Sequence, residues 1–147
     1  MKKNILLPVT AIILFLSSCT KNIEDRLTGS WKLVASYRQR TFGRDHFTTG
    51  YEDGVFTLNE NGSARYTSST DTLTGNWYSD RYTNTYYNGN DYESKSMKYL
   101  RIQLVNFQRN EFLDWEFDDF IFRNNWRQIK ADQYTLGSDR VYEFQRQ

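Results

Sequence analysis

Apolar and polar side chains alternate along most of this chain, and the pattern opens at Leu27–Tyr37, LTGSWKLVASY. Trp31, Leu33, Ala35 and Tyr37 fall on one side, and Lys32, Val34, Ser36 and Arg38 on the other. A period of two is that of a β-strand with one buried face. Just before it, Ile23 and Leu27 stand four apart, which predicts one helical turn ended at Gly29. Tyr51–Asn59 and Ala64–Thr70 flank Glu60-Asn61-Gly62-Ser63, and Asn-Gly between alternating runs predicts a hairpin because both residues tolerate positive φ. In Leu73–Tyr78, Leu73, Gly75 and Trp77 share a side, with Gly75 marking a kink or a close approach of strands. Tyr99–Phe107 and Glu111–Phe117 are the next strands, and in the second Leu113, Trp115 and Phe117 oppose Asp114, Glu116 and Asp118. Asp118-Asp119 interrupts the alternation, which resumes over Phe120–Arg123. Trp126–Lys130, Tyr134–Leu136 and Arg140–Arg146 follow, the last with Tyr142 and Phe144 facing away from Val141 and Glu143. About eight to ten short strands without a long helix or a repeat predict an all-β fold, a small antiparallel up-and-down β-barrel or a sandwich.

Two stretches break the pattern. Gln39–Gly50 is polar and reads as a connection. Ser79–Ser96 has no period and no aliphatic residue, and holds Tyr82, Tyr86, Tyr87 and Tyr92 among Asn, Asp, Ser and Thr. A structureless loop of this length is uncommon in a compact domain and is either functional or mobile.

The first 18 residues read as a signal rather than as fold. Lys2 and Lys3 precede an apolar run, Ile5–Leu16, and Leu16-Ser17-Ser18-Cys19 closes it. That order of basic, apolar and small residues is a secretory signal, too short to span a bilayer comfortably. Leu-Ser-Ser-Cys resembles the bacterial lipobox, which implies that Cys19 carries acyl chains and heads the mature protein. Cys19 is the sole cysteine, so no intramolecular disulfide forms. Acyl chains such as palmitate would hold the chain on a membrane. Thr20 in place of the aspartate associated with inner-membrane retention favours the outer membrane. Lys21, Glu24 and Asp25 only loosely match the acidic stretch of surface-exposed lipoproteins, so the periplasmic and surface faces stay open. The expected organisation is a signal over 1–18, a lipidated tether over 19–26 and one β-domain over 27–147.

Composition narrows the partners. Without Lys2 and Lys3, 17 basic residues face 18 acidic ones, so charge draws the domain to neither nucleic acid nor anionic lipid. Twenty-four of the residues from Cys19 onward are Phe, Tyr or Trp, which favours strands.

No catalytic constellation stands out, and neither a cofactor nor a metal is expected. His46, the only histidine, lies in a polar stretch without partners at ligand spacing, and reads as a solvated side chain. Asp114, Glu116, Asp118 and Asp119 lack the order of a calcium loop, and strand alternation explains the first three as a wet face. Trp31, Trp77, Trp115 and Trp126 read as core. Tyr82, Tyr86, Tyr87 and Tyr92 are the candidate ligand-binding set, since rings with a polar edge stack on sugars or proteins at modest entropic cost. Asp71-Thr72-Leu73 resembles the Asp-Ser/Thr-aliphatic site of Bacteroides-type O-glycosylation.

Three stretches together resemble the lipocalin-like domains of Bacteroides-type lipoproteins. They are Leu27-Thr28-Gly29-Ser30-Trp31-Lys32-Leu33, Phe56–Ser63 with its Asn-Gly hairpin, and Leu73-Thr74-Gly75-Asn76-Trp77. The resemblance covers about half of the chain after Cys19. It implies structural roles for Gly29 and Trp31, and an arginine of the last strand, Arg140 or Arg146, stacked over Trp31. Taken together, these readings predict a binding protein rather than an enzyme, taking a small apolar or glycan-like ligand with Tyr82–Tyr92 as a lid. The other reading is a protein-interaction or inhibitor module of the cell envelope with a filled core.

Overall fold

A computed structural model describes residues 22–136 and 138–147. The signal and Cys19 lie outside the described residues. One short helix and ten strands make up the described chain: α1 (Ile23–Leu27), β1 (Gly29–Gln39), β2 (Arg44–His46), β3 (Val55–Leu58), β4 (Ser63–Thr67), β5 (Thr72–Tyr87), β6 (Tyr92–Asn106), β7 (Glu111–Phe117), β8 (Asp119–Arg123), β9 (Gln128–Gln133) and β10 (Arg140–Arg146). All of the strand pairs are antiparallel and belong to one sheet, in the order β7-β6-β5-β4-β3-β1-β10-β9-β8, with β2 added to the end of β1. The all-β, up-and-down expectation therefore holds. Among the described residues no helix is long and apolar enough to cross a membrane.

No ladder joins the two ends of the sheet, but those ends are consecutive in the chain, separated only by Asp118. Asp118 and Asp119 make the junction. The Asp118 N–H donates to the Asp132 carbonyl of β9 at 2.8 Å. The buried Asp119 carboxylate accepts from the Lys98 N–H of β6 at 3.1 Å and from Lys95 Nζ at 3.4 Å. Side chain thus stands in for backbone where the ladder stops, and the half-buried Lys98 amide is satisfied.

The first strand departs from its sequence pattern. A bulge falls between Leu33 and Ala35, so Leu33 opposes Phe144 but Ser36 opposes Tyr142. One extra residue reverses every later side chain. Ser36 therefore shares the inner face with Tyr142, donating its hydroxyl to the Phe47 carbonyl at 2.5 Å. Tyr37, expected beside Trp31, lies on the other face against Val141. It is buried there by the Arg44 guanidinium, 4.5 Å above its ring, and by its 3.0 Å bond to Glu143.

α1 caps one end of the barrel-like core. Asn22 and Asp25 form a reciprocal capping box, and Ile23 and Leu27 point into the core. The Trp31 indole N–H donates to the Leu27 carbonyl at 2.6 Å. Arg146 is the arginine stacked on Trp31, 4.4 Å from the ring, and it also donates to the Thr28 and Arg26 carbonyls. Arg140 does not reach Trp31; it lies at the far end of β10, 5.9 Å from the Phe47 ring. Register decides between them, since Trp31 opposes Arg146 and Arg38 opposes Arg140. Gly29 has φ +130°, and a Cβ there would come within 2.8 Å of Arg146 Nη1. At Gly75 a Cβ would stand 2.0 Å from the Gln103 carbonyl oxygen, so the close approach of β5 and β6 needs glycine.

Trp31 and Trp77 are buried and Trp115 packs on the core, but Trp126 is a correction. It is 46% exposed in the β8–β9 turn, with φ +66°, held between the Arg26 guanidinium at 3.7 Å and the Phe122 ring at 5.2 Å.

Candidate functional site

The tyrosine segment is a β-ribbon. Ser79–Ser96 was expected to be a loop, yet β5 and β6 pair without interruption from Thr74↔Val105 to Tyr87↔Tyr92. β4 pairs with β5 only up to Asn76, and β7 with β6 only down to Leu100, so the far half of the hairpin projects alone. Past the Tyr82↔Met97 pair both of its faces meet water, and the hydrophobic period that betrays other strands is missing for that reason.

Strand alternation divides the four tyrosines. Tyr82 and Tyr86 lie on the outer face with Tyr78. Tyr87 and Tyr92 oppose each other at the tip, ring centroids 5.3 Å apart, on the face that continues from buried Leu73, Trp77 and Ser79. Their exposures are 39% for Tyr82, 46% for Tyr86, 59% for Tyr87 and 74% for Tyr92. The hydroxyls are anchored locally: Tyr82 to the Asp118 carbonyl at 2.9 Å, Tyr86 to Glu93 at 2.8 Å and Tyr87 to the Gly89 carbonyl at 2.9 Å. The set is thus two pairs of pre-positioned rings rather than one lid.

The core offers no room beneath them. Phe56, Tyr66, Trp115, Phe117, Tyr142 and Phe144 interlock at centroid distances of 4.9–6.2 Å. The void among Trp31, Phe56, Leu58, Leu100, Ile102, Ile129 and Phe144 measures about 10 Å³. Pockets for small ligands run to roughly 300–1,000 Å³, and this one admits at most one water. The aromatic side chains that point inward fill the core, while the ribbon tyrosines stay outside it.

Polar groups converge at the opposite end, where the sequence singled out only Asp71-Thr72-Leu73. A cleft of about 260 Å³ is lined by Tyr51, Tyr66, Asp71, Arg109 and Glu111 among others. Asp71 accepts from Asn106 Nδ2 at 2.6 Å and from the Thr72 N–H at 2.7 Å, with Arg109 at 3.8 Å. Its carboxylate also meets that of Glu111. Their mutual hydrogen bond holds Asp71 below and Glu111 above the usual carboxylate range. Two adjacent negative charges repel, so Glu111 holds its proton to higher pH while Asp71 loses its own at lower pH. Only the turns bring these residues together, from positions 40 apart in the chain.

The remaining acidic residues are dispersed. Arg101 binds Asp114 at 2.7 Å and Glu116 at 3.0 Å on the outer face, while Asp118 Oδ2 accepts from the Tyr134 N–H at 2.7 Å. Among the described residues no three His, Cys, Asp or Glu side chains gather as metal ligands. His46 lies on exposed β2 with its ring 5.5 Å from Tyr37. No protein-family model, no curated protein and no solved structure matches this chain.

Proposed function

We propose that this chain is a lipoprotein of the bacterial outer membrane, acylated at Cys19, whose filled β-domain presents the β5–β6 ribbon to a protein partner in the envelope. The ribbon carries this reading: it projects beyond the sheet with four exposed tyrosines, while the core has no cavity for a ligand. Rigid amphipathic rings on a paired scaffold give contact area at low entropic cost. The lipocalin-like resemblance is supported by the meander order, the pairing of first and last strands and the Arg146–Trp31 stack. The role is binding rather than catalysis.

A photo-crosslinking amino acid at position 86 of the full-length chain in cells tests the contact. A discrete protein adduct is expected there and not from exposed Phe42, which is remote from the ribbon in sequence. Equal labelling at both positions would overturn the reading. Palmitate incorporation that is lost on Cys19→Ala tests the anchor separately.

A further inference from the structure

We infer that the β6 edge of the ribbon pairs, antiparallel and about a two-fold axis at Ser94, with the same edge of a second copy of this chain. This surface is distinct from the tyrosine faces. Beyond Leu100, β6 has β5 on one side and no strand on the other. The Lys98 N–H points to that open side, where Asp119 receives it, so by alternation the amides of Tyr92, Ser94 and Ser96 point there as well. Tyr92 is already capped, its N–H bonding Asp91 Oδ1 at 2.7 Å. Carboxylates thus occupy the two flanking amides and leave Ser94 and Ser96 as the ones free to pair. Unpaired strand edges of this kind recruit other strands.

Charge selects the partner. In an antiparallel pair centred on Ser94, Glu93 of each copy stands opposite Lys95 of the other, and Tyr92 stands opposite Ser96. Both charge pairs are attractive, and the edge is therefore complementary to itself. Ser94 and Ser96 of each copy donate, and the carbonyls of Ser94 and Tyr92 accept, without disturbing the Asp91 and Asp119 caps. The other edge of the ribbon has no such symmetry. On β5, Asp80 caps the Arg81 N–H at 2.6 Å, and a pairing centred on Thr83 places Arg81 against Thr85 and Asp80 against Tyr86. A chain confined to a membrane surface meets its copies at raised effective concentration, which suits a short, weak edge contact.

Cysteine substitution in the full-length protein tests the axis. Hydrogen-bonded antiparallel partners have Cα atoms about 5.5 Å apart, within the disulfide range of roughly 4.4–6.8 Å. Ser94→Cys is expected to give a covalent dimer on mild oxidation. Ser96→Cys, about 13 Å from its own symmetry mate, and Thr83→Cys, on the other edge, are expected to stay near the background of the unsubstituted chain. Glu93→Lys leaves the Lys95–Asp119 pair intact yet sets like charges opposite, and is expected to lower the Ser94→Cys dimer yield about tenfold. A Ser94→Cys chain no more dimeric than background, cross-linking at Ser96→Cys instead, adducts to another protein in place of the dimer, or an undiminished yield with Glu93→Lys would each overturn the inference.

Discussion

At the scale of single residues, the end of the core near α1 depends on Arg146 rather than on Arg140. Arg146 is partly buried, and burial lowers its pKa, yet its guanidinium satisfies the Thr28 and Arg26 carbonyls while covering Trp31. Removing it strands those acceptors beside the core. Arg146→Ala is expected to cost about 2–3 kcal/mol in urea unfolding, and Arg140→Ala less than about 1 kcal/mol. Equal losses would reassign the stacking role. The sequence offered both arginines because it shows which residues a strand holds but not which of them reaches a given neighbour. The bulge at Val34 has the same character, as nothing in LTGSWKLVASY marks the residue that is skipped.

At the scale of elements, two contacts tie strands that do not form ladders with one another. Asp119 links the kink between β7 and β8 to β6. Asp119→Ala is expected to destabilise by about 1–3 kcal/mol and to speed hydrogen exchange at the Lys98 amide, whereas Asp119→Asn keeps an acceptor and loses less. The second contact is the Asp71–Glu111 carboxyl pair, joining the β4–β5 turn to the start of β7. Glu111 is raised, so its contribution is full below the ordinary glutamate value of 4.5 and fades as pH climbs through its folded value. Asp71 is lowered, so its contribution is present above the ordinary 3.8 and fades as pH falls through its folded value. The contact is therefore strongest in mild acid, where both contributions are present. Glu111→Gln keeps a hydrogen-bond donor at every pH. Measured across pH 4 to 7, its urea midpoint is expected to fall less toward neutrality than that of the native chain. Parallel curves would show that the pair is not coupled.

At the scale of the whole molecule, a filled barrel-like core and a projecting ribbon are separable. The core cluster draws on every strand except β2, and on α1, whereas the ribbon past the Tyr82↔Met97 pair buries no side chain. Replacing Thr83–Ser96 with Asn-Gly joins that hydrogen-bonded pair by a two-residue turn suited to it. Thermal unfolding is expected to shift by no more than a few degrees. Collapse of the fold would show instead that the ribbon is part of the cooperative unit.

The sequence by itself determined the parts in which a strand buries one face. Period-two runs marked β1, β7, β8 and β10, Asn61-Gly62 marked the β3–β4 turn, and the Ile23–Leu27 spacing marked α1. Burial writes such patterns because only core-facing positions must be apolar. Where burial is absent, the pattern vanishes, and so the ribbon read as a loop and its tyrosines as one set. Tertiary structure alone decided the remaining features: which arginine covers Trp31, which face Tyr37 takes after the bulge, and that Asp71 meets Glu111. Each of these depends on register or on turns that bring distant residues together, and a linear pattern holds no term for either. Whether the core is hollow was decided in the same way, since aromatic content sets the volume available for filling but only interlocked rings show that it is filled.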